Sequence, residues 1–509
     1  MKHQDVLVVC VAAAVFAVVV LPLWGSVVDD TYIHLQYARN LAETGQLSFN
    51  RGDPTYGATS PLWVFLLAAV DKAGGDLLVS CRVLSWLFAL GSIVLVYRLA
   101  AALGGRGAAA SAALVLACEA WFVRWSAVGM ETSFAVFMIL LALEAGLASP
   151  RSMRASAWFG VLLFLAVLAR PEALALVGLS VVAYAYSPAP RARRWLHLAV
   201  FIPLYAMWLY VIHRHTGSFV PLTAGAKEGR PVLSAALFGR ALLPAKIMGA
   251  TILLPWLALI AGLAAALVRE HSLTSLFVGR DAARGGMRPG VLLMILWVFA
   301  LPAAYVILDF QVLSRYLVPV IPCAIVLGVV CWTRFSALAW PRIGTRRAAL
   351  AVFTALVMAQ SVVFYAKVVV RPTVEFSNAL KTVIVGMGEW LAENSAPEAL
   401  VATPDIGAIG YTSGRRILDL GGLVTPQINA MRRTTDVELI IDDGRYLAFK
   451  PDYLVDRSRV PARFEGKVIR GFTFVAVRRG EVPNLGIRKP EPVVYTLYRV
   501  EPASKEQAP

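Results

Sequence analysis

Charge is what this 509-residue chain has least of: 16% of its residues are Asp, Glu, Lys or Arg, against 58% in the hydrophobic set, at a mean hydropathy of +0.67. Soluble globular proteins carry about 25% charged and 45–50% apolar residues, so an ordinary aqueous enzyme and a disordered chain are both excluded. Acids are scarcer than bases, 32 against 48, for a net charge of +16. Cysteine and histidine are few, five and six. Cys10, Cys81, Cys118, Cys323 and Cys331 all lie in apolar runs, with no C-x-x-C. That excludes a disulfide in the polar C-terminal part and a Cys/His zinc site, and it leaves the thiols as small hydrophobes. Long-period repeats and low-complexity linkers are also missing. So are RRM, KH, zinc-finger and helix-turn-helix patterns, which removes the usual routes to nucleic acid.

What the chain has instead is long apolar runs. A helix needs roughly 20 apolar residues to cross the hydrocarbon core of a bilayer. Runs of about that kind cover 6–24, 79–103, 108–123, 131–148, 156–170, 172–187, 195–213, 246–268, 290–308, 317–333 and 348–370, which predicts about eleven spans. The first has one lysine ahead of it and no A-x-A site before Asp29, so it reads as a retained helix rather than a signal peptide. Residues 61–73 are apolar but too short to span easily. They start with Pro61 after Thr59-Ser60 and stop at Gly74-Gly75, the pattern of a short interfacial helix.

Residues 1–370 hold 29 Lys+Arg against 15 Asp+Glu, and residues 371–509 hold 19 against 17. The positive excess therefore belongs to the apolar part. With the N-terminus cytoplasmic, the inner loops collect about 16 basic residues against three acids, the asymmetry that orients membrane proteins. An odd number of spans then places residues 371–509 outside, in the periplasm or its equivalent. Helical periodicity over 375–394 is followed by β-rich runs at 399–403, 415–420, 446–455, 472–478 and 493–500. The expected architecture is an α-helical polytopic membrane domain over 1–370 and an exoplasmic α/β domain over 371–509.

The first outer loop, 25–78, is the most informative stretch. Residues 31–44 predict an amphipathic helix with Gln36, Arg39, Asn40 and Glu43 on one face and Ile33, Tyr37, Ala38 and Leu41 on the other. Asp29 and Asp30 stand at its N-terminus. An N-cap accounts for one aspartate, less readily for two in tandem where a span meets a surface-lying helix. The helix dipole predicts that a base there stays ionised at neutral pH.

The loop reads D-D-x-Y-I-x-x-x-Y-A-R-N-L…G-x-x-x-F-N…Y-x-x-T-S-P-L-W. It is followed in order by GMETSFAVF at 129–137, LARPEAL at 168–174, HTGSFVPLTAGAK at 215–227, SRYLVPVIP at 314–322 and DIGAIGYTSGRRILDLGGLV at 405–424. This ordered set resembles bacterial GT-C glycosyltransferases, polytopic enzymes that use polyprenyl-phosphate sugars. It is most similar to the mycobacterial terminal arabinofuranosyltransferase group, and more distantly to the lipid A aminoarabinose transferase and the protein O-mannosyltransferases. Where family members often have P-N-T, this chain has Pro221-Leu222-Thr223.

The resemblance implies a GT-C fold and an inverting transfer of sugar from a polyprenyl-phosphate donor to a glycan, lipid or protein hydroxyl, at the outer face of a bacterial plasma membrane, in cell-envelope biosynthesis. In the family the first aspartate of the pair is the proposed base, so Asp29 and Asp30 are the catalytic candidates. The phosphate leaving group already activates the donor, so one carboxylate suffices, unlike the two of a glycosidase. Arg39, Arg170, Lys227 and Arg315 are the candidates to hold the donor phosphate. Glu131, Glu172, Tyr56 and Asp405 are candidates for sugar or acceptor. For the two glutamates the alternative is pairing with the arginines, and for Asp405 it is a turn before Gly407. No cofactor is required, and His213-x-His215 is a weak pair for a divalent metal. A transporter or flippase for a lipid-linked sugar is the alternative function. Such proteins tend to show inverted repeats and charged, broken helices at mid-membrane, which this sequence lacks.

Overall fold

A computed structural model describes residues 3–185, 187, 189–223, 236–268, 288–310, 312–483 and 491–503. By contact density the chain divides into two units. The first comprises Met1–Trp24, Arg82–Trp208 and Gly229–Val368; the second comprises Gly25–Cys81, Leu209–Glu228 and Val369–Pro509. No single cut in the sequence separates them, because the first loop belongs with the C-terminal part.

The first unit is helical, and each predicted span is helical over most of its length. The membrane helices are α1 (His3–Val20), α4 (Leu77–Cys118), α6 (Thr132–Ala148), α7 (Met153–Ala169), α8 (Leu174–Ala185), α9 (Arg191–Thr216), α10 (Ala236–Val268), α11 (Pro289–Ile307), α12 (Ile321–Ala339) and α13 (Ile343–Phe364). Helices α2 and α3 belong to the second unit, and α5 (Ala120–Ala127) is short. Two predicted spans merge in α4, which breaks at Gly105 (φ 79°) between them. Seven helices among the described residues are long and apolar enough to cross a membrane, and three more apolar helices are shorter. The chain is a multi-pass membrane protein. In α1 only Ala12, Phe16 and Val20 are buried, one stripe at four-residue spacing.

One irregularity has no sequence forewarning beyond its prolines. Helix α10 breaks at Ile252 (φ −132°, ψ 36°), just before Pro255. Nearby backbone carbonyls find side-chain partners: Trp121 Nε1 donates to Ile247 O (3.0 Å) and Gln360 Nε2 to Gly249 O (2.7 Å). A polar backbone group loosened in an apolar environment must be satisfied this way.

In the second unit, α2 spans Asp29–Thr44 and ends at Gly45 in the left-handed conformation (φ 73°), and α3 spans Pro61–Lys72 with proline in its first turn. The face predicted to be polar is largely buried. Gln36 Nε2 donates to Phe49 O (3.0 Å), and Asn40 Nδ2 donates to Ser48 O (3.0 Å) and Phe49 O (2.7 Å). Both side chains bind the returning loop rather than water.

The C-terminal part carries a six-stranded mixed sheet: β1 (Leu400–Thr403), β2 (Arg416–Asp419), β3 (Tyr453–Ser458), β4 (Val468–Ile469), β5 (Phe472–Val482) and β6 (Val493–Pro502). Their order is β2-β1-β3-β6-β5-β4. Strand β1 runs parallel to β2 and β3, and the remaining pairs are antiparallel. The run expected at 446–455 is only partly strand, because Arg445–Phe449 forms a 3-10 turn ahead of β3. A helix at Gly407–Ser413 links β1 to β2. The core is aromatic and aliphatic, with Tyr446, Leu454, Phe464, Phe474 and Tyr498 at its centre.

Candidate active site

The aspartate pair is not used as an N-cap. Val28 holds that position in an extended conformation, with no side-chain cap, and Asp29 and Asp30 are the first helical residues of α2. Asp29 instead binds the segment after β1. Its Oδ2 accepts from Gly407 N (3.0 Å) and its Oδ1 from Ala408 N (2.8 Å). Only glycine fits at 407, because a Cβ there would stand 2.0 Å from the Asp29 carbonyl oxygen.

Burial, then the nearby Asp405 carboxylate, pushes the Asp29 carboxyl up to about 7; Asp30 adds to the effect, and the two N–H donors oppose it. The expectation of a base fully ionised at neutral pH is therefore corrected. Desolvation and like charge outweigh the hydrogen bonds that favour the anion. A carboxyl titrating there lies in the range most effective for a general base.

Asp405 lies just beyond the end of β1, where the order β2-β1-β3 sends the chain to opposite sides. In open α/β sheets this is where functional groups converge. Both of its carboxylate oxygens are engaged. Arg457 Nη1 is 2.9 Å from both oxygens, and Tyr495 Oη donates to Oδ2 at 2.8 Å. Arg457 on β3 and Tyr495 on β6 are directly opposed in the antiparallel register. The Asp405 charge raises the Arg457 guanidinium further above its ordinary value. Burial and Asp405 do the same to the Tyr495 phenol, so both remain donors. Sequence reading missed these two residues. They lie 52 and 90 positions from Asp405, and only strand pairing unites them.

Arg39 is half-buried. One Nη donates to Gln36 and to Tyr411 O (2.9 Å), and its guanidinium lies 4.3 Å from the centre of the Tyr411 ring. It clamps α2 to the Gly407–Ser413 helix. Tyr56 is buried, and its carbonyl accepts from Leu222 N (2.8 Å), in the stretch where the family's P-N-T is replaced. Asn429 Nδ2 also reaches Leu222 O, at 3.0 Å. His213 stacks on Phe219 at 4.0 Å, and His215 Nε2 accepts from Leu47 N (3.2 Å), a bond that occupies the lone pair a metal would need. Among the described residues, no three His, Cys, Asp or Glu side chains gather as metal ligands. Lys227 lies outside the described residues.

Two further residues of the second unit hold this region in shape. Asn50 places its side-chain amide on the outer edge of β2, donating to Ile417 O and accepting from Ile417 N, both at 2.9 Å. Asp419, buried, accepts from Val424 N (2.8 Å) and Leu423 N and shapes the Gly421-Gly422 turn. Burial pushes its carboxyl up to about 6, against the pull of those N–H groups.

The first unit carries its own charged cluster. Buried Arg170 binds Glu172 through Nε and Nη2 (3.2 Å each), lies 3.7 Å from Glu131, and donates to Arg315 O at 3.4 Å. Tyr305 Oη donates to Glu172 (3.2 Å). The two glutamates therefore take the pairing role with Arg170. Arg315 Nη2 reaches Tyr316 Oη (3.3 Å), and its guanidinium lies 5.8 Å from the Trp125 ring. The sequence reading passed over Arg124, which is also buried, with its guanidinium 4.6 Å from the Trp125 ring and within electrostatic reach of Arg315.

Residues 374–496 match a family described only as a domain of unknown function, DUF8728. No curated protein matches the chain significantly. Among solved structures, ArnT from Cupriavidus metallidurans bound to undecaprenyl phosphate aligns over 97% of this chain and 98% of that one, at 15% identity and a TM-score of 0.57. The archaeal oligosaccharyltransferase AglB from Archaeoglobus fulgidus, solved with an inhibitory peptide and a dolichol-phosphate, aligns over 89% of this chain and 69% of that one, at 14% identity and 0.60. The mycobacterial arabinofuranosyltransferase AftD aligns over 98% of this chain and 40% of that one, at 20% identity and 0.53.

Proposed function

The chain has the fold of the GT-C glycosyltransferases, and from that premise we propose that it is an inverting glycosyltransferase. It moves a sugar from a polyprenyl-phosphate donor to an acceptor hydroxyl on the outer face of a bacterial plasma membrane, with its N-terminus cytoplasmic and residues 371–509 outside. The observation that carries this reading is Asp29: a carboxylate fixed by two backbone N–H groups and titrating near neutrality. A carboxylate has about four lone-pair positions, so two bonds leave capacity for the acceptor proton. In the transfer, the bond from the anomeric carbon to phosphate oxygen breaks and its electron pair leaves with the phosphate. The acceptor oxygen bonds to the anomeric carbon from the opposite face, and its proton goes to Asp29. Positive charge stabilises the departing phosphate, and Arg315, with Arg124 beside it, is the candidate for that role among the basic residues of the first unit. Glu131 and Glu172 hold Arg170 in place. The carriers bound in ArnT and AglB support a polyprenyl or dolichyl phosphate as the donor class.

The test is reconstitution in proteoliposomes with a panel of polyprenyl-phosphate sugars and with glycan, lipid and peptide acceptors, reading release of polyprenyl phosphate. Asp29→Asn is expected to lower turnover by about 10²–10⁴-fold, the usual worth of a general base. Turnover that survives Asp29→Asn, Asp30→Asn and the double variant overturns the base assignment. Sugar-lipid crossing the bilayer without turnover makes the protein a transporter instead.

A further inference from the structure

Asp29 sits among groups from three places in its unit, its own helix included. Asp30 comes from its own helix. Asp405 and the N–H groups of Gly407 and Ala408 come from the segment after β1, and Tyr495 comes from β6. Asp405 is the group through which the sheet reaches Asp29. It stands two residues before the glycine that holds the Asp29 carboxylate, in a turn fixed by Thr403, whose Oγ1 donates to Asp405 O (3.2 Å) and accepts from Asp405 N (3.3 Å). On its other side its carboxylate is tied to Arg457 and Tyr495. Strand alternation sends Asp456 to the opposite face, where it pairs with Arg463 at 2.7 Å. Arg457 is thus the cation that the sheet directs to Asp405.

We propose that Arg457 and Tyr495 are positioning residues that act through Asp405: they neutralise its charge and pin the turn, so that Asp29 can both give up its proton and keep its place. Without Arg457, the full negative charge of Asp405 would bear on Asp29 and favour its protonated form. Without Tyr495, the turn would lose one of its two anchors to the sheet. The proposal rests on the assignment of Asp29 as the base, because that is what gives the tuning a purpose.

The test is an infrared titration of the protonated-carboxyl band in purified full-length protein, with Asp29→Asn as the subtraction that isolates Asp29. The wild-type midpoint is expected near pH 7. Arg457→Gln moves it up by about one pH unit and Asp405→Asn moves it down by about as much, the usual reach of a single neighbouring charge. Arg457→Lys restores it. The double variant Asp405→Asn/Arg457→Gln falls between the two single variants, close to wild type, because removing both members of a neutral pair leaves no net change in charge. If Arg457→Gln fails to fold, Arg457→Lys, Tyr495→Phe and Asp405→Asn still give the comparison. Midpoints of Arg457→Gln and Asp405→Asn that coincide with wild type, or that move in the same direction, overturn the proposal. The titration needs no turnover, so its outcome is separate from that of the base assignment. Transfer that survives Asp29→Asn removes the base and leaves the measured tuning. Unmoved midpoints alongside an inactive Asp29→Asn remove the tuning and leave the base.

Discussion

Gly407→Ala is the sharpest perturbation of the Asp29 site, because it changes neither charge nor polarity. The added Cβ would lie 2.0 Å from the Asp29 carbonyl oxygen and 2.8 Å from its Oδ2, where ordinary contact begins at 3.4 Å. The two segments must therefore part by about 1.4 Å. That takes the bonds from Gly407 N and Ala408 N, now 3.0 and 2.8 Å, beyond hydrogen-bonding range. Hydrogen bonds to a charged group contribute roughly 1.5–3 kcal/mol each. Asp29 is only half-buried and water replaces part of the loss, so a net cost of about 2–4 kcal/mol is expected. Displacing a catalytic group by about 1 Å lowers turnover by roughly 10²-fold. Loss of the two N–H donors also shifts Asp29 toward its protonated form. The assays are transfer in proteoliposomes, the infrared midpoint and chemical unfolding of the purified protein. If Gly407→Ala keeps turnover within threefold of wild type and an unmoved midpoint, the close approach is not what holds Asp29, and the reasoning fails.

With Asp29 as the proposed base, turnover should fall about tenfold per pH unit below pH 7, as its carboxylate takes up a proton; a flat rate from pH 5 to 8 contradicts this. Folded Asp29 keeps its proton to higher pH than an unfolded aspartate, so its contribution to stability is complete below about pH 4 and lost as the pH rises through 7. Asp29→Asn should accordingly flatten the fall in unfolding temperature between pH 5 and pH 8. Asn50→Ala leaves the Ile417 N–H and C=O without the amide that covers them and should cost about 1–3 kcal/mol; hydrogen exchange over Arg416–Asp419 should quicken, and unchanged exchange counts against the edge-covering role. Gly328→Ala places a Cβ 2.1 Å from Pro255 O where α12 meets the broken helix α10. Neither backbone can yield cheaply, so monodisperse protein should be lost, as read by size-exclusion chromatography.

Legibility in the sequence followed the range of the interaction. The spans could be read because a bilayer imposes one requirement, length with low charge, which each segment meets or fails by itself. Asp29 and Asp30 stood out because two tandem acids at such a boundary exceed what one cap needs. The faces of α2 were misjudged because Gln36 and Asn40, polar by type, bury themselves by satisfying the backbone at Ser48 and Phe49. The sequence offers no means of pairing an amide with a particular carbonyl.

By itself, then, the sequence determined a membrane-embedded helical body, a polar α/β tail and the aspartate pair. Composition, hydrophobic periodicity and short motifs are local properties, and they sufficed for these. Only the tertiary structure decided what the aspartates do with their oxygens. Asp29 binds a turn 378 residues away, Asp405 sits where the strand order reverses, and β3 and β6 bring Arg457 and Tyr495 to it. Burial and charge are set by neighbours in space. The proton affinity of a carboxylate, which a helix dipole alone predicted to be low, is therefore fixed by residues that its own stretch of sequence does not contain.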